Sequence, residues 1–578
     1  MQYSGAQILI ESLIEQGVDT IFGYPGASVL HIYDELYRQK NRIRHILVSH
    51  EQHAAHAADG YARSSGRVGV CLATSGPGAT NLVTGIAAAA IDSVPLVAIT
   101  GNVSVSLLGK DSFQEVDIAG ITMPIVKHNW IVKDVNELAE TIREAFIVAR
   151  SGRPGPVLVD IPKDIAALSA EWDRSRAVSA PTNGIAARLA GRSRRETFNA
   201  GDIEKAAALI IGAKRPMFYA GGGVILSGAD AELKKIAERL NAPVALSLMG
   251  MGAFPHDHRL CTGLIGMHGT AASNKASQKS DLLIALGARF SDRVTSQVEK
   301  FARSAKILHI DIDPAEINKN IQADAFITGD LKTVLSHLIR KIPEKMKTEW
   351  NGEIEAWKES SPKDYHRKTA LHPRFVIQEC ARALEARALE ARALGGRAIA
   401  VTDVGQHQIW TAQFFPFNRP RSFISSGGMG AMGFGMGAAI GAKIANPDCP
   451  VALFTGDGCF RMNCAEMATL VHYKLPVLII IFNNQTLGMV RQWQNFFYGG
   501  RYSETDLGGR GPDFIKLADA YNVPAFRAVD EVSFLDSLKK CLAHNAAGIP
   551  TLIETIIDKD ERVLPMVPGG RPIDEQIM

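Results

Sequence analysis

The sequence predicts an α/β protein of three domains, each a mainly parallel sheet flanked by helices. Three observations predict it. The chain has 578 residues, more than one hydrophobic core can organise. Short apolar runs alternate with helical stretches almost throughout, as in parallel strands joined by crossover helices. Two polar, irregular stretches read as linkers between three such blocks: 170–200, with Pro181, Asn183, Gly184 and an Arg-rich patch, and 342–374, charged and Pro-containing.

In the first block, buried strands are expected at 46–49, 68–73, 95–100 and 156–161, with Ala-rich helices at 53–64 and 79–91 between them. The N-terminus reads straight into an amphipathic helix. The second block has strands at 216–220, 243–247, 281–286 and 306–311, and the third at 398–402, 451–455, 476–482 and 551–556. The run ARALEARALEARAL at 381–394 repeats every five residues. That period fits neither a heptad seam nor a solenoid, and its residues are strong helix formers, so an extended surface helix is expected.

Composition narrows the function classes. Hydrophobic residues make up 46% and charged residues 21%, the balance of an ordinary globular protein, and a net charge of +3 favours neither nucleic acid nor acidic membranes. No apolar run approaches the length that crosses a bilayer. No basic leader with a cleavage site and no Arg/Ser-rich transit segment is recognisable. The 7 cysteines are scattered without metal-type spacing, so free thiols in a reducing cytoplasm are expected.

The most informative segment is 456–488. A strand ends in Gly456-Asp457-Gly458, a helix follows, and a very apolar strand ends in Asn483-Asn484. In open parallel sheets, ligands sit beyond the carboxyl ends of the strands, so Asp457 and Asn484 can converge. A carboxylate and an amide oxygen suit a hard cation such as magnesium that keeps phosphate oxygens and water as its other ligands. The glycines admit a diphosphate to the backbone, and the following helix offers its first amides.

GDG, 24 residues (459–482) and NN resemble the diphosphate-binding motif of thiamine-diphosphate enzymes. The resemblance implies that Asp457, Asn484 and the carbonyl of Thr486 hold Mg2+. SHEQHAAHAADGYAR (49–63) looks like that family's catalytic-glutamate segment, which gives Glu51 the role of protonating the aminopyrimidine ring. Read without the family, Glu51 is a carboxylate stabilising a helix N-terminus. In the family this glutamate reaches the cofactor of the other subunit, so a homodimer or homotetramer with active sites at the interface is implied.

Finer motifs resemble acetolactate synthase catalytic subunits: FGYPGAS (22–28), ATSGPGATN (73–81), GKDSFQE (109–115), SGRPGPVLVDIPKD (151–164), TDVGQHQ (402–408), SSGGMGAMGFG (425–435) and GMVRQWQ (488–494). The resemblance places Phe113 and Gln114 beside the substrate pocket, Lys163 at its channel, and Met489 and Trp493 around the second ketoacid. Met432 is the implied wedge that bends thiamine. Pro25, Gly76, Val404, Gln406, His407, Gly430, Gly456, Gly458 and Met489 are further implied cofactor contacts.

In the middle block AGGGV (220–224) follows a strand and opens a helix, HIDID (309–313) ends a strand in acids, and GARFSDRV (287–294) resembles a segment of FAD-binding members. There Ser291 stands where the family carries Asp. The implied contacts of this block are Gly221, Gly222, Met267, His268, Gly287, Arg289, Asp292, Asp311, Ile312 and Asp330, with Arg153 from the first block. Arg293 is expected to read the ketoacid carboxylate. Ser104 replaces a family proline in the channel that binds herbicides.

The resemblance thus implies domains at 1–168 (pyrimidine-binding), 200–340 (FAD-binding-like) and 371–558 (diphosphate- and metal-binding), with a tail, 559–578, closing over the active site. It implies thiamine diphosphate, Mg2+ and FAD as cofactors. The expected reaction joins pyruvate to pyruvate or 2-ketobutyrate with loss of carbon dioxide, on the route to valine, leucine and isoleucine. Many such catalytic subunits work with a separate regulatory small subunit. A flavin-dependent pyruvate oxidase, a flavin-free catabolic synthase and a non-catalytic homologue are the alternatives.

Overall fold

A computed structural model describes residues 1–172, 198–344, 350–359, 371–390 and 396–578. Most of the expected linker at 170–200, and the end of the five-residue repeat, lie outside the described residues. Three six-stranded parallel sheets organise what is described.

In the first block, β1 (Gln2–Ser4) pairs antiparallel with β8 (Ser169–Glu171), tying the chain start to the end of the block. The N-terminus therefore opens on a strand, and the amphipathic helix begins at Gly5, capped by Ser4 and Gln7. The sheet comprises β2 (Thr20–Gly23), β3 (Arg44–Leu47), β4 (Gly69–Ala73), β5 (Leu96–Asn102), β6 (Asn129–Ile131) and β7 (Pro156–Pro162), in the order β3-β2-β4-β5-β7-β6. In the second block β9 (Pro216–Ala220), β10 (Val244–Leu246), β11 (Cys261–Leu264), β12 (Leu282–Leu286), β13 (Lys306–Asp311) and β14 (Ala325–Thr328) stand in the order β11-β10-β9-β12-β13-β14. The third has β15 (Ile399–Thr402), β16 (Phe423–Ile424), β17 (Val451–Gly456), β18 (Val477–Asn483), β19 (Ala525–Ala528) and β20 (Thr551–Ile556), ordered β16-β15-β17-β18-β20-β19.

Numbered within each block, the first and third sheets share one order, 2-1-3-4-6-5, whereas the second runs 3-2-1-4-5-6. The shared order marks two related domains, and the second is the dinucleotide-binding order. In each sheet the order first reverses at a crevice: between β2 and β4, between β9 and β12, and between β15 and β17. β18 is buried along its whole length, as its continuous apolar run requires of a central parallel strand.

Helix Glu51–Ser65 packs along helix Gly435–Ala445, joining the two related domains through small residues. A β-carbon on Gly60 would stand 2.6 Å from Cα of Ala438, so only glycine permits this approach. Two expectations need correction. The helix expected at 79–91 is broken into Pro77–Asn81 and Val83–Ile91. The linker expected at 342–374 contains helix Asn351–Glu359, whose Ile354 joins Trp350 in the core of the middle block. The repeat lies on helix Pro373–Glu390: Leu384 is buried and Leu389, five residues on, is exposed, because five residues turn a helix well past one revolution. No helix among the described residues is long and apolar enough to cross a membrane.

Candidate active site

The site is built at the carboxyl ends of two sheets. In the third domain, the crevice where strand order reverses opens into a cavity lined by Val404, Gln406, His407 and Trp410 after β15, Gly456, Asp457, Gly458 and Cys459 after β17, and Asn484, Thr486, Gly488 and Met489 after β18, with Met432 above. The sequence places these groups up to 85 positions apart (404 to 489), and the sheet gathers them.

Asp457 is buried at 5% exposure, and burial pushes its carboxyl up to about 7 against the pull of the Gly458 and Gln485 amides. A carboxylate so poor in counter-charge suits a cation. Asn484 lies beside it, its amide donating to Gln406 Oε1 at 3.3 Å. The two asparagines of the motif do different work: Asn483 turns away and donates to Glu554 at 2.7 Å. Thr486 commits its hydroxyl to the Thr505 carbonyl, 2.6 Å, and its amide to Asn484 Oδ1, 3.2 Å, which sets the turn beside Asp457 and Asn484; its carbonyl is the third oxygen that the resemblance implies. One carboxylate, one amide oxygen and one carbonyl form the oxygen-only set a hard divalent ion takes. His407 is held neutral by burial, which lowers it to about 3, and its Nε2 has no partner. A buried orphan in the cavity wall is the mark of a missing polar ligand. These residues fit a metal-bound diphosphate.

The glycine-rich loop 425–435 carries Met432 over this cavity. Asp403, fully buried after β15, accepts from the Gly433 amide at 2.8 Å, the Gly435 amide at 3.2 Å and the Asn463 side chain at 3.0 Å. Asp92, from the first domain, accepts from the Gly427 and Gly428 amides, both at 2.9 Å. Gly430 has φ +64, a left-handed turn that favours glycine. Two buried carboxylates thus pin the loop on either side of Met432. Sequence reading passed over Asp403 and Asp92; the signal for Asp403 was an acid at a strand end inside TDVGQHQ.

The first domain assembles a separate group. Glu51 opens its helix, buried at 9% exposure, and accepts a 2.9 Å hydrogen bond from Asn81. A β-carbon on Gly78 would lie 3.3 Å from Glu51 Oε1, and one on Gly76 (φ +58) would meet Gln114 Cα at 3.0 Å. Glu51, Gly76, Gly78, Asn81 and Gln114 are therefore neighbours. Phe113 stands beside them almost wholly exposed, 87%. Pro25 lies on the loop after β2, which Ser28 ties to Thr74 at 2.9 Å. The entry to Glu51 is clamped by buried Glu466, which pairs with His53 and accepts from the Ser49 amide, each at 2.8 Å. Lys163 is exposed at the end of β7. None of these groups lines the cavity of Asp457 in the same chain.

Other implied residues are elsewhere. Trp493 packs against Phe497 with the rings tilted at 58°, one turn beyond Met489 and outside the cavity lining. Arg293 and Asp292 are exposed on the middle domain, and the Arg293 guanidinium lies by Met267. His268 meets the tail at the Pro565 carbonyl, 3.2 Å. The tail runs between domains: Gln406 donates to the Glu561 carbonyl and Gln492 to that of Val563, while Ile573 is buried against the middle domain.

At the middle-domain switch point, Gly221 and Gly223 after β9 face Gly287 after β12 so closely that a β-carbon on Gly223 would stand 2.7 Å from Gly287 Cα. Gly222 opens the following helix, Asp311 ends β13 with Ile312 just after it, and Asp330 caps the helix Leu331–Lys341 through the Thr333 amide. Burial pushes Asp311 up to about 6. Arg289 reaches back to the Ile91 carbonyl, and Arg153 to Glu316 at 2.9 Å and Asp313 at 3.4 Å.

Family models agree with this division. The N-terminal TPP-binding domain of thiamine pyrophosphate enzymes matches residues 3–121, the central domain 203–338 and the C-terminal TPP-binding domain 403–555. The chain is 48% identical to the probable acetolactate synthase large subunit of Methanocaldococcus jannaschii, over 98% of this chain and 94% of that protein. It is 46% identical to an acetolactate synthase of Mycobacterium bovis (99% and 91% covered) and 45% identical to the acetolactate synthase large subunit of Corynebacterium glutamicum (98% and 89%). With the diphosphate-type cavity in the third domain and the Glu51 group in the first, the chain belongs to the thiamine pyrophosphate enzyme family, among the acetolactate synthase large subunits.

Proposed function

We propose that the protein is a biosynthetic acetolactate synthase. It condenses pyruvate with a second pyruvate, or with 2-ketobutyrate, to give 2-acetolactate or 2-aceto-2-hydroxybutyrate and carbon dioxide. The observation that carries the reading is the likeness to acetolactate synthases over nearly the whole chain, with the Asp457–Asn484 cavity and the Glu51 group both in place. Thiamine diphosphate, when bound, supplies the nucleophilic carbon and the electron sink for decarboxylation.

The chain's own residues do the rest. Asp457, Asn484 and the Thr486 carbonyl hold Mg2+ and through it the diphosphate. Met432, on a loop fixed by two buried carboxylates, lines the cavity and would be the apolar wedge against the cofactor. Glu51, desolvated and oriented by Asn81, exchanges a proton with the aminopyrimidine nitrogen. Gln114 and Phe113 flank the acceptor, Arg293 reads its carboxylate, Lys163 guards the channel, and Met489 lines the pocket, with Trp493 one turn beyond it at the rim where the second ketoacid would enter. Because Glu51 and Asp457 do not share a cavity within one chain, each site takes Glu51 from one subunit and Asp457 from another. A homodimer or homotetramer follows.

FAD belongs in the middle domain. The 3-2-1-4-5-6 order, the glycines after β9 and Asp311 at the end of β13 support it. The condensation has no redox step for the flavin, whose role in this reading is structural. The large-subunit names of the relatives support a separate regulatory subunit, and we assign the enzyme to the cytoplasm and to branched-chain amino acid synthesis. The test is an incubation with pyruvate, thiamine diphosphate, Mg2+ and FAD, with acetolactate assayed as acetoin after acid treatment. Acetate and peroxide in its place would identify an oxidase.

A further inference from the structure

Three segments from three domains meet at the turn Ile91–Ser93, and Asp92 is at their centre. Its carboxylate is fully buried. It accepts from the amides of Gly427 and Gly428, both at 2.9 Å, and from Arg63 at 3.0 Å. Arg289 lies 3.9 Å from Oδ1, the oxygen that accepts from Gly428, and donates to the carbonyl of Ile91. Each partner leads elsewhere. Gly427 and Gly428 begin the loop that carries Met432 over the diphosphate cavity. Arg63 closes the helix that Glu51 opens, and pairs also with Asp59. Arg289 follows β12 at the crevice where the middle sheet reverses.

The turn is tightly packed on the side of the loop, while Ile91 and part of Arg289 reach solvent. A β-carbon on Gly428 would stand 2.9 Å from Asp92 Oδ1 and from Ile91. Ser93 is held at φ +61 and accepts from Arg153 at 2.8 Å, and Arg153 in turn grips Glu316 of the middle domain. A shift of Arg289 or Arg153 on filling the middle crevice acts directly on this turn, through the Ile91 carbonyl and the Ser93 hydroxyl. Asp92 lies between those two contacts and carries the shift to the amides of Gly427 and Gly428.

We infer that Asp92 is a positioning residue that couples occupancy of the middle-domain crevice to the loop holding Met432, so that flavin and thiamine diphosphate strengthen each other's binding. The inference rests on the reading of the middle domain as a flavin site. It gives the flavin a role that needs no electron transfer: bound there, it fixes Arg289, which fixes Asp92 and the loop.

Coupling of this kind is reciprocal and is measured as the ratio of one ligand's affinity with and without the other. The experiment titrates the full-length protein, in Mg2+, with thiamine diphosphate by intrinsic fluorescence, once free of flavin and once saturated with FAD. FAD is then titrated by flavin fluorescence with and without thiamine diphosphate. We expect both ratios to agree at about fivefold or more in the unaltered protein, the lower end of typical couplings. In Asp92→Asn the ratio falls below about twofold, while each ligand still binds. Arg289→Gln, which leaves the loop's own hydrogen bonds in place, lowers the ratio in the same way and guards against a folding defect in the first variant. An unchanged ratio in both variants, or a ratio near one in the unaltered protein, overturns the inference. Failure of the unaltered protein to bind FAD at all overturns the flavin reading itself.

Discussion

Gly441 lies against Ala57 with no room for a side chain: a β-carbon there would stand 2.7 Å from the Ala57 carbonyl carbon and 2.8 Å from the Tyr61 nitrogen. The two residues sit on the helices that join the first and third domains, one of which begins at Glu51. Gly441→Ala must therefore part the helices. We expect a cost of about 1–3 kcal/mol from overpacking, although alanine is the better helix former. A lower melting temperature in differential scanning calorimetry checks it, and a melt unchanged or raised would show that the helices are less tightly coupled than this contact requires.

Much of this architecture was legible because central parallel strands and strand-end motifs announce themselves locally. VLIIIF in β18 is continuous and apolar because both its faces are covered, and Asp457 and Asn484 had to lie at strand ends to meet. The elements passed over were mostly short: β6 is three residues of intermediate burial, β16 is two buried ones, and β2, although central and buried, is only four. Edge strands need no alternating pattern, so none was there to read. Helix Asn351–Glu359 was hidden by its charged outer face, since only Ile354 along it is buried. Asp92 escaped for another reason. Its partners at Arg63, Arg289, Gly427 and Gly428 are brought together only by the packing of three domains, which no local pattern encodes.

The separation of Glu51 from the Asp457 cavity predicts complementation between defective subunits. Glu51→Gln and Asp457→Asn each remove one half of every site, and each alone should lose at least about 100-fold in turnover. Unfolded together at equal amounts and refolded, they form hybrids in which one of two sites is intact. About a quarter of the unaltered activity should return, from random pairing of two subunit types in a symmetric dimer. No recovery would place both groups in one subunit's site.

His56 is buried in the same helix interface, edge-on to Phe434, and burial lowers its imidazole to about 3 from an ordinary value near 6.5. The neutral ring is the one that folds. Its contribution is complete above about pH 6.5 and is lost as pH falls toward the folded value, at up to about 1.4 kcal/mol per pH unit. His56→Gln cannot take up that proton. Its melting temperature should start lower at pH 7.5 and fall less steeply between pH 6.5 and 5 than that of the unaltered protein. Parallel curves would show that His56 takes no part in acid sensitivity.

Asp403 tests whether the loop over the cavity must be held from below. In Asp403→Ala the amides of Val404, Gly433 and Gly435 and the side chain of Asn463 lose their acceptor in a dry interior. Each unpaired donor costs about 1–3 kcal/mol unless the loop rises to find water, and rising is the cheaper course. The loop then withdraws Met432 from the cavity. We expect thiamine diphosphate affinity to fall by at least about tenfold, the equivalent of one such donor. Asp403→Asn keeps one acceptor oxygen and should fall between the two. Affinity measured by fluorescence titration decides it: full binding by Asp403→Ala would mean that Asp92 alone suffices to hold the loop.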